Sequence, residues 1–422
     1  MKNTLDPLEP KADKATVRRH NLSLVLRAVH DEGEATRAAV AARVGLTRAA
    51  VSSLVEQLLA SGFLTERGKT FSGQAGRPGT ALRVARTGPA GLGVEINIDY
   101  VSVCVVDLAG TDRVRLTEHL DNRGVPAADV LGRAARIAAR TLESAAEQEL
   151  CPAGARLALP GLVSGGTVRQ APNLGWNRVA AEGLFGQALC ALRPGRPALP
   201  VGSDNEANAA ALAELWFGGL ERVRSFLYLS GEIGVGGALV VDGELMRGAH
   251  GFAGEIGHVV ADAEGPECRC GSRGCLEQYA GQAALLRGAG IDESAGLPGV
   301  AELEARARAG DGRAVAALER AGRMLGQVVS GAVNLLDPDA VVLGGIYRPL
   351  MPWLGPAADR ELSRRVVSGL WAAGSGRLRA SSSSGDAARG AAALVVREVV
   401  ADPAGYAERA EGWSGTAHAG RT

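Results

Sequence analysis

Residues 250–281 read HGFAGEIGHVVADAEGPECRCGSRGCLEQYAG and place a histidine and three cysteines at the spacing H-x9-C-x-C-x4-C. The candidate metal ligands are His258, Cys268, Cys270 and Cys275. One imidazole with three thiolates is the ligand set of a closed, four-coordinate zinc site, which leaves no open position for catalysis. Gly271 and Gly274 allow the backbone to turn tightly around an ion. This stretch therefore predicts a structural Zn2+ site.

Two carboxylates flank the predicted metal loop. Glu255 precedes His258 by three residues, and Glu277 follows Cys275 by two. A bound metal would hold the loop rigid and would therefore fix both carboxylates, which are good acceptors for sugar hydroxyls. The stretch thus predicts a binding site for a small polyol beside the metal.

The same stretch carries a family signature, G-E-I-G-H followed by C-x-C-G-x-x-G-C-L-E. This signature resembles that of the ROK family, which comprises repressors and sugar kinases, and the resemblance extends over about residues 91–400. It implies that the histidine and the cysteines hold zinc, and that Glu255, His258 and Glu277 contact a hexose. It also implies the actin-like, ribonuclease-H-like fold of the family.

Length and charge indicate separate domains. At 422 residues, the chain is too long for one compact core, and its formal net charge is zero. Residues 14–86 carry twelve Lys or Arg against five Asp or Glu, a net charge of +7, so the remainder carries −7. A basic first segment on an otherwise acidic chain is typical of DNA-binding proteins.

Residues 16–86 predict a winged helix-turn-helix domain. Apolar spacing indicates helices over 16–30, over 36–44 and from Thr47 onward, with Gly45 in the turn. In this arrangement the last of the three helices enters the major groove of DNA. The residues expected to contact DNA from this helix are Thr47, Arg48, Ser52 and Ser53. The alternative, a head that merely caps a sugar-binding enzyme, does not explain the excess positive charge.

The predicted wing occupies residues 63–84, as two strands with a glycine-rich tip. At this tip Gly76-Arg77-Pro78-Gly79 resembles arms that enter the minor groove, so Arg77 is a further predicted DNA contact. Residues 1–15 are polar and are expected to be disordered. The sequence has no apolar run of about eighteen residues, which argues against a signal peptide and a membrane span.

Residues 91–400 predict a duplicated α/β domain. The pattern of residues 91–116 indicates two strands, a turn and a third strand, and residues 225–248 repeat this outline, with Asp242-Gly243 as the signal for a hairpin turn. Two such copies, each followed by helices, indicate two lobes, split near residue 200, with a cleft between them. The last residues, 402–422, are poor in apolar side chains and are expected to be a flexible tail.

Segments between the two copies are expected to line the cleft. Pro172-Asn173-Leu174 resembles a family segment that faces the sugar, which makes Asn173 a candidate ligand. Residues 203–211, SDNEANAAA, match the family motif N-D-x-N-A-A-A, so the resemblance implies that Asn205 and Glu206 also face the sugar. In kinases of the family the second motif residue is an Asp that acts as general base. Here it is Glu206, whose side chain is one methylene longer.

The resemblance leaves a sensor and a kinase as alternatives. Kinases of the family carry a D-x-G-G-T turn after the first strand, where glycines let backbone N–H groups approach phosphate. Here residues 95–99 read EINID, so bulky side chains and an added carboxylate would block and repel a phosphate. The second glycine-rich turn, residues 231–237, is retained. These features predict a protein without catalytic residues.

The function predicted from the sequence is a cytoplasmic, sugar-responsive transcriptional regulator of carbohydrate uptake or catabolism genes, with repression favoured over activation. The alternative is an ATP-dependent hexose kinase with an accessory DNA-binding head. The predicted partners are double-stranded operator DNA and a sugar or sugar derivative as effector, with no membrane. Because winged heads commonly bind two half-sites, a homodimer or homotetramer is expected. The residues do not select the sugar.

Overall fold

A computed structural model describes residues 13–70, 79–220, 223–382 and 386–409. Within these ranges no single helix is long and apolar enough to cross a bilayer, and the helix pair Arg37–Val44 and Arg48–Ala60, which together reach that length and composition, is bent by 115°.

The N-terminal head has three helices and a small antiparallel sheet. Its elements are α1 Lys14–Glu32, β1 Ala35–Thr36, α2 Arg37–Val44, α3 Arg48–Ala60, β2 Leu64–Thr70 and β3 Gly79–Val84, with strand order β1-β3-β2. The Thr36 and Thr47 hydroxyls accept hydrogen bonds of 3.2 Å from the third backbone N–H that follows each, as expected of N-caps. The angle of 115° between α2 and α3 is that of a helix-turn-helix.

The first helix begins earlier than predicted. The Asp13 carboxylate accepts a 2.7 Å hydrogen bond from the backbone N–H of Thr16 and so caps α1, which starts at Lys14. Residues 14 and 15 are therefore helical, although residues 1–15 were expected to be disordered. Residues 1–12 and residues 71–78 at the tip of the wing, with Arg77, lie outside the described residues.

The first lobe is built on a five-stranded mixed sheet. Its elements are β4 Gly88–Ile96, β5 Tyr100–Asp107, β6 Asp112–His119, α4 Ala127–Glu147, β7 Leu150–Leu159, β8 Leu162–Ser164, β9 Thr167–Ala171, β10 Trp176–Val179, α5 Ala181–Leu192, β11 Val201–Asn205 and α6 Glu206–Phe217. The large sheet has the order β11-β7-β4-β5-β6, and β8, β9 and β10 form a separate antiparallel sheet.

The second lobe repeats the large sheet. Its elements are β12 Phe226–Gly231, β13 Val235–Val241, β14 Glu244–Leu245, α7 Glu277–Ala280, α8 Gln282–Ala289, α9 Gly296–Arg308, α10 Gly312–Leu336, β15 Ala340–Gly345, α11 Tyr347–Arg365, β16 Leu378–Ala380 and α12 Ala387–Ala401. The strand order is β14-β13-β12-β15-β16. Asp242 and Gly243 have φ of 52° and 81°, and they make the hairpin turn predicted between β13 and β14.

The two large sheets have one topology. In each, the first three strands are antiparallel neighbours, and the fourth and fifth strands then continue in parallel beside the first. In each, a long helix follows the fifth strand, α6 in the first lobe and α12 in the second, and these helices pack together between the sheets. The predicted duplicated, actin-like α/β fold is confirmed.

Two predicted boundaries differ from the structure. The lobes divide after α6 and not near residue 200, because the first sheet is completed only by β11, which pairs in parallel with β7. Residues 402–422 were expected to be flexible, but residues 403–409 are helical and Tyr406 is buried. The Tyr406 ring packs edge-on against Phe63 of the head, with centroids 5.6 Å apart. This contact holds the C-terminal segment against the head.

Candidate functional site

The predicted metal ligands form a compact cluster. The ligand atoms of His258, Cys268, Cys270 and Cys275 all lie within 4.8 Å of one another. The sulfur atoms of Cys270 and Cys275 are 3.7 Å apart, and Nδ1 of His258 lies 3.8 Å from the sulfur of Cys268. A tetrahedron with zinc–sulfur bonds of about 2.3 Å has edges of about 3.8 Å. The donor set and its spacing therefore fit one four-coordinate ion of the zinc type.

Glycine makes the fold of the metal loop possible. A Cβ atom at Gly274 would lie 1.6 Å from the carbonyl oxygen of Asp262, and Gly274 has a φ of +67°. At Gly257, beside His258, a Cβ would lie 2.0 Å from the carbonyl oxygen of Val235. The loop thus presses its backbone against its own chain and against β13, which holds the ligands next to the second sheet.

A cleft lies between the lobes beside the metal cluster. All six predicted sugar-binding residues line it, namely Asn173, Asn205, Glu206, Glu255, His258 and Glu277. The first three come from the first lobe or its interlobe helix α6, and the last three come from the metal loop and α7. The fold brings the predicted residues together, and their role in sugar binding remains a prediction.

Local hydrogen bonds fix several of these side chains. A Glu277 carboxylate oxygen accepts from the backbone N–H of Val235 at 3.3 Å. The Asn205 side-chain oxygen caps α6 by accepting from two backbone N–H groups, at 2.8 and 3.2 Å, while its amide donates to the carbonyl oxygen of Gly161 at 2.9 Å. Because the helix uses the Asn205 oxygen, only the amide N–H2 of Asn205 has spare capacity for a ligand.

Two cleft residues were not predicted from the sequence. Arg269, between the metal ligands Cys268 and Cys270, donates across the cleft to the side-chain oxygen of Asn173 at 3.1 Å. Glu232 lies in the glycine-rich turn between β12 and β13, and it lines the cleft. A charged residue inside a glycine-rich turn was the available signal for Glu232, whereas nothing local marks Arg269 as a cleft residue.

The floor of the cleft is acidic. Glu206 and Glu232 also line an adjoining cavity, where they are joined by Glu95. Burial raises the pKa of Glu95 to about 7, although the hydrogen bond from Tyr100 opposes the shift. Burial raises the pKa of Glu232 to about 8, and repulsion from Glu95 adds to this shift. Burial, with Glu232 and Glu95 nearby, also raises the pKa of Glu206 well above its usual value. The Tyr100 hydroxyl donates to Glu95 at 2.6 Å.

An ion pair between a buried carboxylate and an exposed arginine connects the lobes on the other side of Asn205. The Asp204 carboxylate is 4% exposed and accepts from both terminal nitrogens of Arg247, at 3.0 and 2.6 Å. Asp204 ends the first sheet, while Arg247 follows β14 of the second. The hydrogen bonds to Asp204 raise the pKa of Arg247 above its usual value. This bridge was not predicted, because its residues are separated by 43 positions.

The predicted DNA-binding side chains lie at the start of α3. Thr47 is the N-cap, Arg48 and Ser53 are exposed, and Ser52 is half-buried. The opposite face of α3 packs into the head through Val51, Leu54, Val55 and Leu58. The structure therefore leaves this end of the helix open to a partner, and contact with DNA remains a prediction.

A duplicated actin-like body, whose cleft adjoins a cluster of one histidine and three cysteines, defines the class of protein. The chain belongs to the ROK family, whose model matches residues 91–398.

Individual relatives extend this similarity to the head. The chain is similar to the xylose repressor of Bacillus subtilis, with 27% identity over 361 residues, covering 85% of this chain and 90% of the relative. It is 33% identical over 269 residues to the xylose repressor of Caldicellulosiruptor bescii, covering 63% and 65% of the two chains. A solved ROK family transcriptional regulator, a homologue of the Escherichia coli MLC protein, shares the fold with a TM-score of 0.74 at 23% identity, covering 92% of this chain and 97% of that one.

Proposed function

We propose that this chain is a sugar-responsive, DNA-binding transcriptional regulator, and that it represses genes of sugar uptake or breakdown. The observation that carries the proposal is the union of a helix-turn-helix head, with Arg48 and Ser53 exposed on its third helix, and a polar cleft between two lobes. The names of the relatives support repression as the direction of control. The DNA target places the protein in the cytoplasm, and half-site binding calls for a homodimer or a homotetramer.

The charge of the cleft supports an uncharged effector rather than a sugar phosphate. Its carboxylates are Glu206, Glu232, Glu255 and Glu277. Against them stands Arg269, which already donates to Asn173. Carboxyl groups form hydrogen bonds with sugar hydroxyls in either protonation state, whereas those that ionise would repel a phosphate group. The relatives named as xylose repressors make D-xylose the first sugar to test.

The metal proposed for the cluster is a structural Zn2+. Cys268 and Cys275 are buried, and the four ligands would close its coordination sphere. Zinc there would supply rigidity and no reaction chemistry. A rigid metal loop would fix the positions of Glu255 and Glu277, which flank the ligands in the sequence and line the cleft.

DNA binding should depend steeply on salt and on Arg48. The operator is obtained by selecting duplexes from a random pool with the full-length protein, and affinity is then measured from low to physiological salt. A protein with several phosphate contacts loses roughly a thousandfold or more between 50 and 200 mM salt. Arg48→Ala should weaken binding at fixed salt by about tenfold.

The matched control for this experiment is Arg308→Ala, which removes an exposed arginine of α9 in the second lobe. It should bind the selected duplex like the wild type. Affinity that does not change with salt, or an Arg48→Ala protein that binds as tightly as the control, would contradict the assignment of α3 as the DNA-binding helix.

We also infer that the chain does not transfer phosphate. Asn97 and Ile98 stand where kinases of the family have the glycines of the first phosphate-binding turn, and Asp99 adds a carboxylate there, so side chains would block the close approach of an ATP phosphate. A coupled assay with ATP, Mg2+ and D-xylose or D-glucose should give turnover at least about a thousandfold below the 1–100 s⁻¹ of ordinary kinases. Turnover within that range would establish the kinase alternative.

A further inference from the structure

The DNA-binding head docks on the C-terminal segment of the chain. The Ser23 hydroxyl of α1 donates to the carbonyl oxygen of Val400 in α12 at 3.2 Å, and Nε of Arg19 donates to the Asp402 carboxylate at 2.7 Å. The Phe63 and Tyr406 rings meet edge to face at 76°. Apolar residues of α1, α3 and α12 belong to one continuous core. The head is therefore seated on the end of α12 by directional contacts as well as by apolar packing.

The body of α12 is wedged against the first sheet and against α6. A Cβ atom at Gly93 of β4 would lie 1.9 Å from the carbonyl oxygen of Ala388, and one at Gly390 of α12 would lie 1.8 Å from that of Ala209 in α6. These are backbone-to-backbone contacts, and they leave α12 no room to shift towards β4 or α6. Ala387 and Ala391 of α12 share a core with strands of the second sheet. A movement of the second lobe therefore bears on α12 at its first turns, where Ala387 and Ala391 lie.

Both interlobe helices begin at the cleft. Asn205 caps α6 and Glu206 is its first residue, and both line the candidate sugar site. The first turn of α12 donates through the backbone N–H of Ala388 to Glu95, which lines the adjoining cavity with Glu206. With 15 residues, α12 spans about 22 Å from this cavity to the head.

We propose that α12 and the turn after it, through Asp402 and Tyr406, position the DNA-binding head and carry the effect of bound sugar from the cleft to α3. This inference rests on the proposed function. Sugar that draws the lobes together brings the second sheet against the start of α12, and the resulting tilt of α12 reaches the head, which packs on the other end of this helix as well as on the first lobe. In a dimer the tilt changes the spacing of the two recognition helices, which weakens binding to a fixed pair of half-sites.

The test measures the coupling between the two ligands in the full-length protein. Affinity for the selected duplex is determined with and without saturating D-xylose, and affinity for D-xylose is determined without DNA. The coupling factor is the ratio of the two duplex dissociation constants, and about 5–150 is the usual range for allosteric proteins. The double variant Asp402→Asn/Tyr406→Leu should bind D-xylose within about twofold of wild type while its coupling factor falls towards one.

A second variant guards against a folding defect in the first. Ser23→Ala removes only the hydroxyl that donates to Val400, and it should lower the coupling factor at unchanged sugar affinity. The control Glu304→Gln breaks an ion pair with Arg308 within α9 and should keep the wild-type factor. If Ser23→Ala and the folded double variant both keep the wild-type factor, the positioning role of α12 is wrong, while the proposed function stands. A wild-type protein whose duplex affinity ignores D-xylose, D-glucose and N-acetyl-D-glucosamine alike defeats the proposed function and this inference together.

Discussion

Cys275→Ser is expected to abolish stoichiometric zinc binding and, with it, the response to sugar. Cys275 is completely buried, and its sulfur lies 3.7 Å from that of Cys270. A hydroxyl is a much weaker zinc ligand than a thiolate, and three remaining ligands do not close the site. Since structural zinc contributes several kcal/mol to the order of its surroundings, the melting temperature should fall by roughly 5–10 °C.

The loss of zinc should also weaken sugar binding, because the metal ligands lie beside Glu255 and Glu277, which line the cleft. Without the ion, Glu255 and Glu277 lose the fixed separation that a polyol needs, so D-xylose affinity should fall by about a hundredfold or more. Metal content by mass spectrometry and sugar affinity by calorimetry measure the two effects. Cys190→Ser, which removes an exposed cysteine outside the cluster, is the control and should match the wild type. Full zinc content or unchanged sugar affinity in Cys275→Ser would refute the metal assignment.

Removing one negative charge at Glu255 or Glu277 is expected to cost roughly 10–100-fold in sugar affinity, because a hydrogen bond to a charged group contributes about 1.5–3 kcal/mol. Glutamine keeps the size of the side chain and an acceptor oxygen, so Glu277→Gln can still accept from the backbone N–H of Val235. Burial raises the pKa of Glu255, His258 opposes this shift and Glu277 adds to it, so the two carboxylates act on each other. Each variant should therefore leave the fold intact while it weakens the ligand.

The readouts separate sugar binding from DNA binding. Calorimetry with D-xylose should show the loss, while affinity for the selected duplex without sugar stays at the wild-type value and higher sugar concentrations are needed to release DNA. Glu267→Gln, on the same loop but exposed and paired with Arg273, is the matched control and should change neither quantity. If Glu255→Gln and Glu277→Gln bind D-xylose like this control, the cleft is not the effector site.

Local chemistry made much of the molecule predictable. The N-caps Thr36 and Thr47 and the turn at Asp242 and Gly243 depend on residues within a few positions of one another, and all three were predicted correctly. The metal ligands were found for the same reason, because their spacing lies within one loop. The family signature then supplied the fold and the six candidate cleft residues, which the structure places around one cavity.

The errors in the boundaries have a common cause. The lobe division was predicted too early in the chain, because the sequence of β11 does not show that this segment pairs with β7 and completes the first sheet. The C-terminal segment was expected to be flexible because the contacts that order it, with Phe63, Arg19 and Cys151, all come from residues far away in the sequence. In both cases the deciding partner is far away in the sequence.

By itself, the sequence determined the kinds of element, their order, the clustered candidate metal ligands and the duplicated body, since periodicity, caps and short motifs act over a few residues. Only the tertiary structure decided which charges meet. Arg247 of the second lobe pairs with Asp204 of the first, and Glu95, Glu206 and Glu232 line one cavity. Arg19 of the head binds Asp402, which lies 383 positions away in the sequence. These contacts depend on how the two sheets and their interlobe helices pack, and no local pattern specifies that packing.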